Sequence, residues 1–227
     1  MTTPKRRLTE TVEAVLVAAA LALTFKGFVF QIFHVPSSSM EDTVLSGDYV
    51  LVNKFAYGPH RGPWARVLPY RDLARGDVVV FRYPPDPGRD LIKRAVAVAG
   101  DRIEAEAKAL RVNAAEPFEP YAVHRDVTTY GTGAPPSLLR RDRFAPFAVK
   151  AGHFFAMGDN RDESLDSRFW GPVPLAHLEG RAVSVLWSVQ ESSRAFAGRG
   201  AALRRFLDTA LNFLSRTRWK RSFHAIR

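Results

Sequence analysis

The chain has 227 residues, 46% of them hydrophobic, a net charge of +10 and no cysteine. This is enough apolar material for one core with a small second lobe, and the missing cysteine excludes a disulfide framework, thiolate catalysis and cysteine-ligated zinc. The basic balance points to anionic lipid or nucleic acid as a neighbour.

Lys5-Arg6-Arg7 precedes an apolar run from Val12 to Val35, interrupted by Glu13, Lys26, Gln31 and His34. A bilayer core requires roughly 20 such residues in a helix. Residues 10–33 are therefore expected to form a transmembrane anchor, with the basic residues of 1–9 on the cytoplasmic side. The competing reading is a secretory leader cut near Ala18-Ala19-Ala20 or Ala20-Leu21-Ala22. Apolar character resumes through Phe28, Val29, Phe30, Ile32 and Phe33, where a cleaved leader would end in small and polar residues. This favours the uncleaved anchor. No later run is long enough to span, so the remainder is expected outside.

Val35-Pro36-Ser37-Ser38-Ser39-Met40 follows the run directly. Clustered serines are by themselves loop or cap residues. From Asp48 onward the pattern becomes short β-prone segments behind turn residues. Tyr49–Lys54, Asp77–Arg82 and Ile92–Val98 are expected strands, with Pro84, Pro85, Pro87 and Gly88 looping between the last two. Arg102–Glu104 and Leu110–Val112 are expected to pair, with Asn113 in the turn region. His153–Met157 and Arg181–Val189 complete the set.

Punctuated short strands without long amphipathic helices predict a mainly β fold of antiparallel sheets. The expected organisation is a β-rich core from residues 34–113 and 151–190, with residues 114–150 as a small inserted lobe or flap. Residues 191–227 form a basic tail. Leu203, Phe206, Leu207, Ala210, Leu211 and Leu214 recur there at helical spacing among many arginines and lysines. That composition suits an amphipathic C-terminal helix lying on anionic phospholipid; a helix packed on the core is the alternative.

A serine hydroxyl needs a base. None of the histidines (His34, His60, His124, His153, His177 and His224) sits in a recognisable Ser-His-Asp context, and the His-Glu-x-x-His pattern is absent. Lys93 is the candidate base, because it lies within the apolar segment Leu91–Val98. Burial disfavours an ammonium and lowers its pKa. By alternation Lys93 shares a face with Leu91, Ala95 and Ala97, and Arg94 points the other way. An edge strand with two solvated cations is the plainer alternative.

Four segments together resemble the bacterial type I signal peptidases, membrane-anchored serine proteases that remove signal peptides. They are Pro36-Ser37-Ser38-Ser39-Met40 with Thr43, Gly47 to Gly58, Arg75 to Phe81 with Ile92 to Val96, and Gly158 to Gly171. The resemblance covers residues 10–190 and is weakest from 114 to 145. It implies Ser39 as nucleophile and Lys93 as general base. It also implies an oxyanion hole from the Ser37 side chain and the Ser39 N–H. Ser164 would orient Lys93, and Arg94, Asp159, Asp166 and Arg168 would form a supporting network. Phe33, Val35, Met40, Val44 and Ile92 are the expected substrate contacts.

Ser38 stands where the family usually has glycine, Asp42 replaces a common proline and Val44 a common leucine. Glu41 and Asp42 are expected to point to solvent, since their charge near Lys93 would oppose its use as a base.

The implied activity is removal of N-terminal signal peptides after Ala-x-Ala-like sites, through an acyl-enzyme, without metal or cofactor. The implied setting is the inner membrane, crossed once, with the catalytic part outside and near the translocation machinery. The partners would be preprotein signal peptides and membrane phospholipid. Nucleic acid is disfavoured, because the cations concentrate in the tail instead of interleaving with aromatics. The rival of a different class is a catalytically silent, membrane-anchored β-domain that binds lipid or a translocation partner.

Overall fold

The computed structural model describes residues 12–18, 29–58, 70–190 and 212–226. Eleven strands are defined there: β1 (Phe30–His34), β2 (Asp48–Asn53), β3 (Val78–Tyr83), β4 (Asp86–Val98), β5 (Arg102–Glu106), β6 (Ala109–Val112), β7 (Phe144–Ala148), β8 (His153–Met157), β9 (Val173–Pro174), β10 (Leu178–Ser188) and β11 (His224–Ala225). Short helices α1 (Pro136–Asp142), α2 (Ser167–Trp170) and α3 (Phe213–Arg216) join them. The larger sheet runs β1-β2-β10-β3-β4-β8-β9, with β11 also on β10, and the smaller runs β6-β5-β7. The strand pairings are antiparallel.

β3 shows why the larger sheet is stable. Its Val-Val-Val-Phe run is buried at every position. Strand alternation sends Val78 and Val80 into one apolar cluster and Val79 and Phe81 into another. The first cluster contains Val35, Met40 and Val44 from the serine-bearing loop, together with Val50, Val52, Val185 and Ile226. The second holds Ala95, Phe154 and Ala156, with the Phe81 and Phe154 rings edge to face at 5.5 Å. A third cluster packs Ile103, Ala105, Leu110 and Val112 of the smaller sheet against Val96, Ala97, Phe155 and Met157 of the larger. Strands β4 and β8 therefore carry apolar residues to both sheets.

Several boundaries differ from those expected. Residues 12–18 are helical, but Phe30–His34 is a strand paired with Asn53–Tyr49, not the end of a helix reaching residue 33. Five residues with apolar Phe30, Ile32 and Phe33 fit either state, and the ladder with β2 decides between them. Among the described residues no helix is long and apolar enough to cross a membrane. Half of the expected anchor and most of the expected tail helix lie outside the described residues. β4 begins at Asp86 and so includes Pro87 and Gly88, expected to be loop. Its first five residues are exposed, so proline costs it little there. The β5–β6 turn is Ala107-Lys108, with φ of 49° and 70°, and Asn113 lies beyond β6. Asn113 Oδ1 instead accepts from the Arg102 N–H at 2.8 Å. The smaller sheet takes β5 and β6 from before residue 113, so it starts ahead of the lobe expected at 114.

Candidate active site

Residues 35–48 form a loop closed at its base. The Val35 N–H donates to the Asp48 carbonyl at 2.9 Å and the Gly47 N–H to the Val35 carbonyl at 2.8 Å. Met40 and Val44, both fully buried, pin the loop from beneath. Ser37, Ser38 and Ser39 lie on its ascending part. Ser38 has no positive φ, so serine in place of glycine costs no backbone strain; Asp42 has φ 79°, a conformation closed to proline.

Lys93 comes from β4, opposite Val79 of β3. Its side chain is 3% exposed and Ser39 is 7% exposed, and Lys93 Nζ is hydrogen-bonded to Ser39 Oγ. Burial pushes the Lys93 ammonium down to about 8, with Arg168 acting in the same direction and Asp166 and Asp159 against it. Ser37 Oγ lies 3.3 Å from Ser39 Oγ.

Arg94, next along β4, is as buried as Lys93, and both reach the serine loop. Arg94 Nε and Nη2 donate to Asp159 Oδ1 and Oδ2 at 2.9 and 2.7 Å. Thr43 Oγ1 donates to the same carboxylate at 2.6 Å and accepts from Arg94 at 3.2 Å. The guanidinium also lies 3.7 Å from the centre of the Tyr121 ring. Asp166 caps α2 and takes Arg168 Nε and Nη2, both at 2.8 Å. Burial raises the Asp166 carboxyl, but the Arg168 charge and hydrogen bonds and the Gly158 N–H hold it below its ordinary value. Arg168 also donates to the carbonyls of Arg141 and Arg161, which ties the loop after β8 to α1.

Gly158 closes the back of the site. A Cβ there would lie 2.3 Å from Ser164 Oγ and 2.4 Å from the Ser39 carbonyl. Ser164 is thus packed beside the serine loop, with its Oγ buried near Asp166.

A cleft of about 530 Å³ opens on Ser39 and Lys93. Phe33, Val35 and Ile92 line it, together with Ser37. Met40 and Val44 do not; they face the core cluster beneath the loop. Sequence reasoning missed Tyr83, Arg89, Asp90, Glu163 and Leu165 in the lining. Glu163 and Leu165 flank Ser164, so their segment was already marked; nothing in the sequence marked Tyr83 or Arg89. Glu41 does not point freely to solvent, because Arg125 Nη2 lies 3.2 Å from its carboxylate. The Asp42 side chain is 61% exposed.

The model of the family described as signal peptidase, peptidase S26, matches residues 8–187. A signal peptidase I of Pseudomonas aeruginosa is 38% identical over 74% of this chain and 68% of its own length. Another, from Pseudomonas fluorescens, is 36% identical over 75% of this chain and 69% of its own. A solved signal peptidase I of Enterococcus faecalis aligns with 49% of this chain and 97% of its own, at TM-score 0.39 and 25% identity, too loose a likeness to argue from. A serine beside a buried lysine, within a family match that covers most of the chain, leads to one conclusion: the chain belongs to the signal peptidase family, peptidase S26, and is a serine hydrolase.

Proposed function

We propose that the chain is a membrane-anchored endopeptidase that removes signal peptides from exported preproteins, with Ser39 as nucleophile and Lys93 as general base. The observation that carries this reading is the buried Ser39–Lys93 hydrogen bond. A lysine held near 8 is neutral often enough at physiological pH to accept a proton, which a solvated lysine is not.

Neutral Lys93 takes the Ser39 proton as Oγ attacks the scissile carbonyl. Ser37 Oγ and the Ser39 N–H receive the oxyanion. Lys93 then returns the proton to the departing amine, leaving an acyl-enzyme. Water, deprotonated by the same lysine, attacks the ester and frees Ser39. Ser164, packed against Gly158, is suited to orienting the ammonium, and the Arg94–Asp159 and Asp166–Arg168 pairs hold the frame. The apolar walls Phe33, Val35 and Ile92 fit small side chains, as in an Ala-x-Ala site.

An anchor within residues 10–33 would set the cleft at the outer membrane face, where a translocated precursor presents its cut site. Sharing one surface raises the effective concentration of the two. Phospholipid and the translocation machinery are the neighbours such a placement implies.

The test is cleavage of a purified precursor in liposomes by wild type, Ser39→Ala and Lys93→Ala. Cleavage after Ala-x-Ala by wild type alone, with both variants folded, is the expected result. An inert wild type, or an active variant, returns the chain to a silent anchored β-domain.

A further inference from the structure

The family match ends at residue 187, but residues 212–226 are built into the floor of the serine loop. β11 pairs with β10 through Ala225 and His224, and Ile226, 6% exposed, enters the cluster that holds Met40 and Val44. Arg221 Nη2 donates to the Thr43 carbonyl at 3.1 Å and to Asp48 Oδ2 at 3.0 Å. Arg218 Nη2 donates to the Ser46 carbonyl at 2.8 Å, and its Nη1 lies 3.7 Å from Asp48 Oδ1. Asp48 is fully buried and its Oδ2 also accepts from the Leu45 N–H at 2.9 Å. The loop that carries the nucleophile is therefore gripped at Thr43, Ser46 and Asp48 by one short segment.

Thr43 connects this grip to the site. Its carbonyl takes Arg221, and its hydroxyl joins Arg94 and Asp159, beside Lys93. Met40, adjacent to the nucleophile, packs in the same cluster as Ile226. We infer that residues 212–226 are a strap that positions Ser39 against Lys93, with Arg221 as its principal positioning residue. The inference rests on the proposed roles of those two residues. Surface ion pairs contribute little; Arg221 faces a fully buried carboxylate and the Thr43 carbonyl of the loop backbone, so its loss lets the loop shift. Displacements of about 1 Å at a reacting group cost up to ~10²-fold in rate.

The test is steady-state cleavage of a purified precursor by the full chain carrying Arg221→Gln, Arg221→Lys, Asp48→Asn, or Asp48→Asn with Arg221→Gln. Melting curves ensure that only folded enzyme is compared. The expected result for Arg221→Gln is a kcat about 10- to 100-fold lower with KM within about twofold. Arg221→Lys should recover most of kcat, and the double variant should be no slower than the slower single one. A folded Arg221→Gln enzyme with wild-type kcat, a loss confined to KM, or no recovery by lysine overturns the strap. If Arg221→Gln does not fold, Ile226→Ala, which removes only the apolar contact, is judged by the same kcat and KM criteria. A wild-type chain that does not cut, or a Ser39→Ala chain that does, counts against the proposed function instead.

Discussion

Arg94 grips Asp159 through two parallel hydrogen bonds, and both side chains are 1% exposed. The pair stands one residue from Lys93 and shares Thr43 with the serine loop. Removing one partner leaves the other charged and buried without its counter-ion. Arg94→Gln and Asp159→Asn should each lower unfolding free energy by about 3–5 kcal/mol. Replacing both together should cost less than the sum of the two. Urea unfolding of the three variants checks this, and simple additivity would show that the pair does not act as a unit.

On the proposed role of Lys93 as base, its titration sets the pH dependence of cleavage. The base must be neutral, so kcat/KM should rise about tenfold per pH unit below about 8 and level off above it. The Asp166 charge raises the Lys93 pKa, so Asp166→Asn should move this limb to lower pH. The Arg168 left behind acts in the same direction. A limb that stays put, or moves to higher pH, would remove Lys93 as the titrating base.

Stability should carry the same signature with a defined sign. The folded-state pKa of Lys93 lies below its unfolded value, so between about 8 and 10.5 the unfolded chain binds more protons. Folding is therefore favoured as pH rises through that window, and below about 8 the buried ammonium is a constant cost. Lys93→Met removes the titration. Relative to it, wild type should gain on the order of 3 kcal/mol from pH 7 to pH 10.5, the shift converted at about 1.4 kcal/mol per unit. Denaturant midpoints of both proteins across this range would show it, and parallel curves would contradict the assigned burial.

Gly158→Ala tests how closely the loop after β8 approaches Ser39. The added methyl meets Ser164 Oγ and the Ser39 carbonyl well inside contact distance. Backbone cannot yield as a flexible side chain can. We expect a loss of about 1–3 kcal/mol in stability and of up to ~10²-fold in kcat/KM. A variant that keeps full activity would mean that the carbonyl can move without disturbing Ser39.

Legibility in the sequence followed the range of the signal. Lys93 was readable because a lysine inside Leu91–Val98 breaks an apolar run, a local anomaly. The strands β2, β3, β8 and β10 were readable from β-prone runs behind turn residues. The β5–β6 turn was misplaced because Ala107 and Lys108 adopt positive φ without the glycine or asparagine that announces it. β1 read as helix because a short apolar run has no period to distinguish the two. Met40 and Val44 looked like pocket walls because nearness to Ser39 in sequence gives no direction within a loop; the core takes both. Arg218 and Arg221 read as lipid-facing charge because their partner, Asp48, lies some 170 residues earlier.

That separation has a consequence for the order of events during synthesis. Arg221 and the aspartate it clamps are 173 residues apart. A ribosome adds about 5–20 residues per second, and contacts this distant in sequence form late. Ser39 and Lys93 are made early, but until translation has passed Arg221 the loop between Val35 and Asp48 lacks its clamp. On the proposed roles, the fit of Ser39 against Lys93 is therefore completed only after synthesis has passed residue 221, long after both residues have been made.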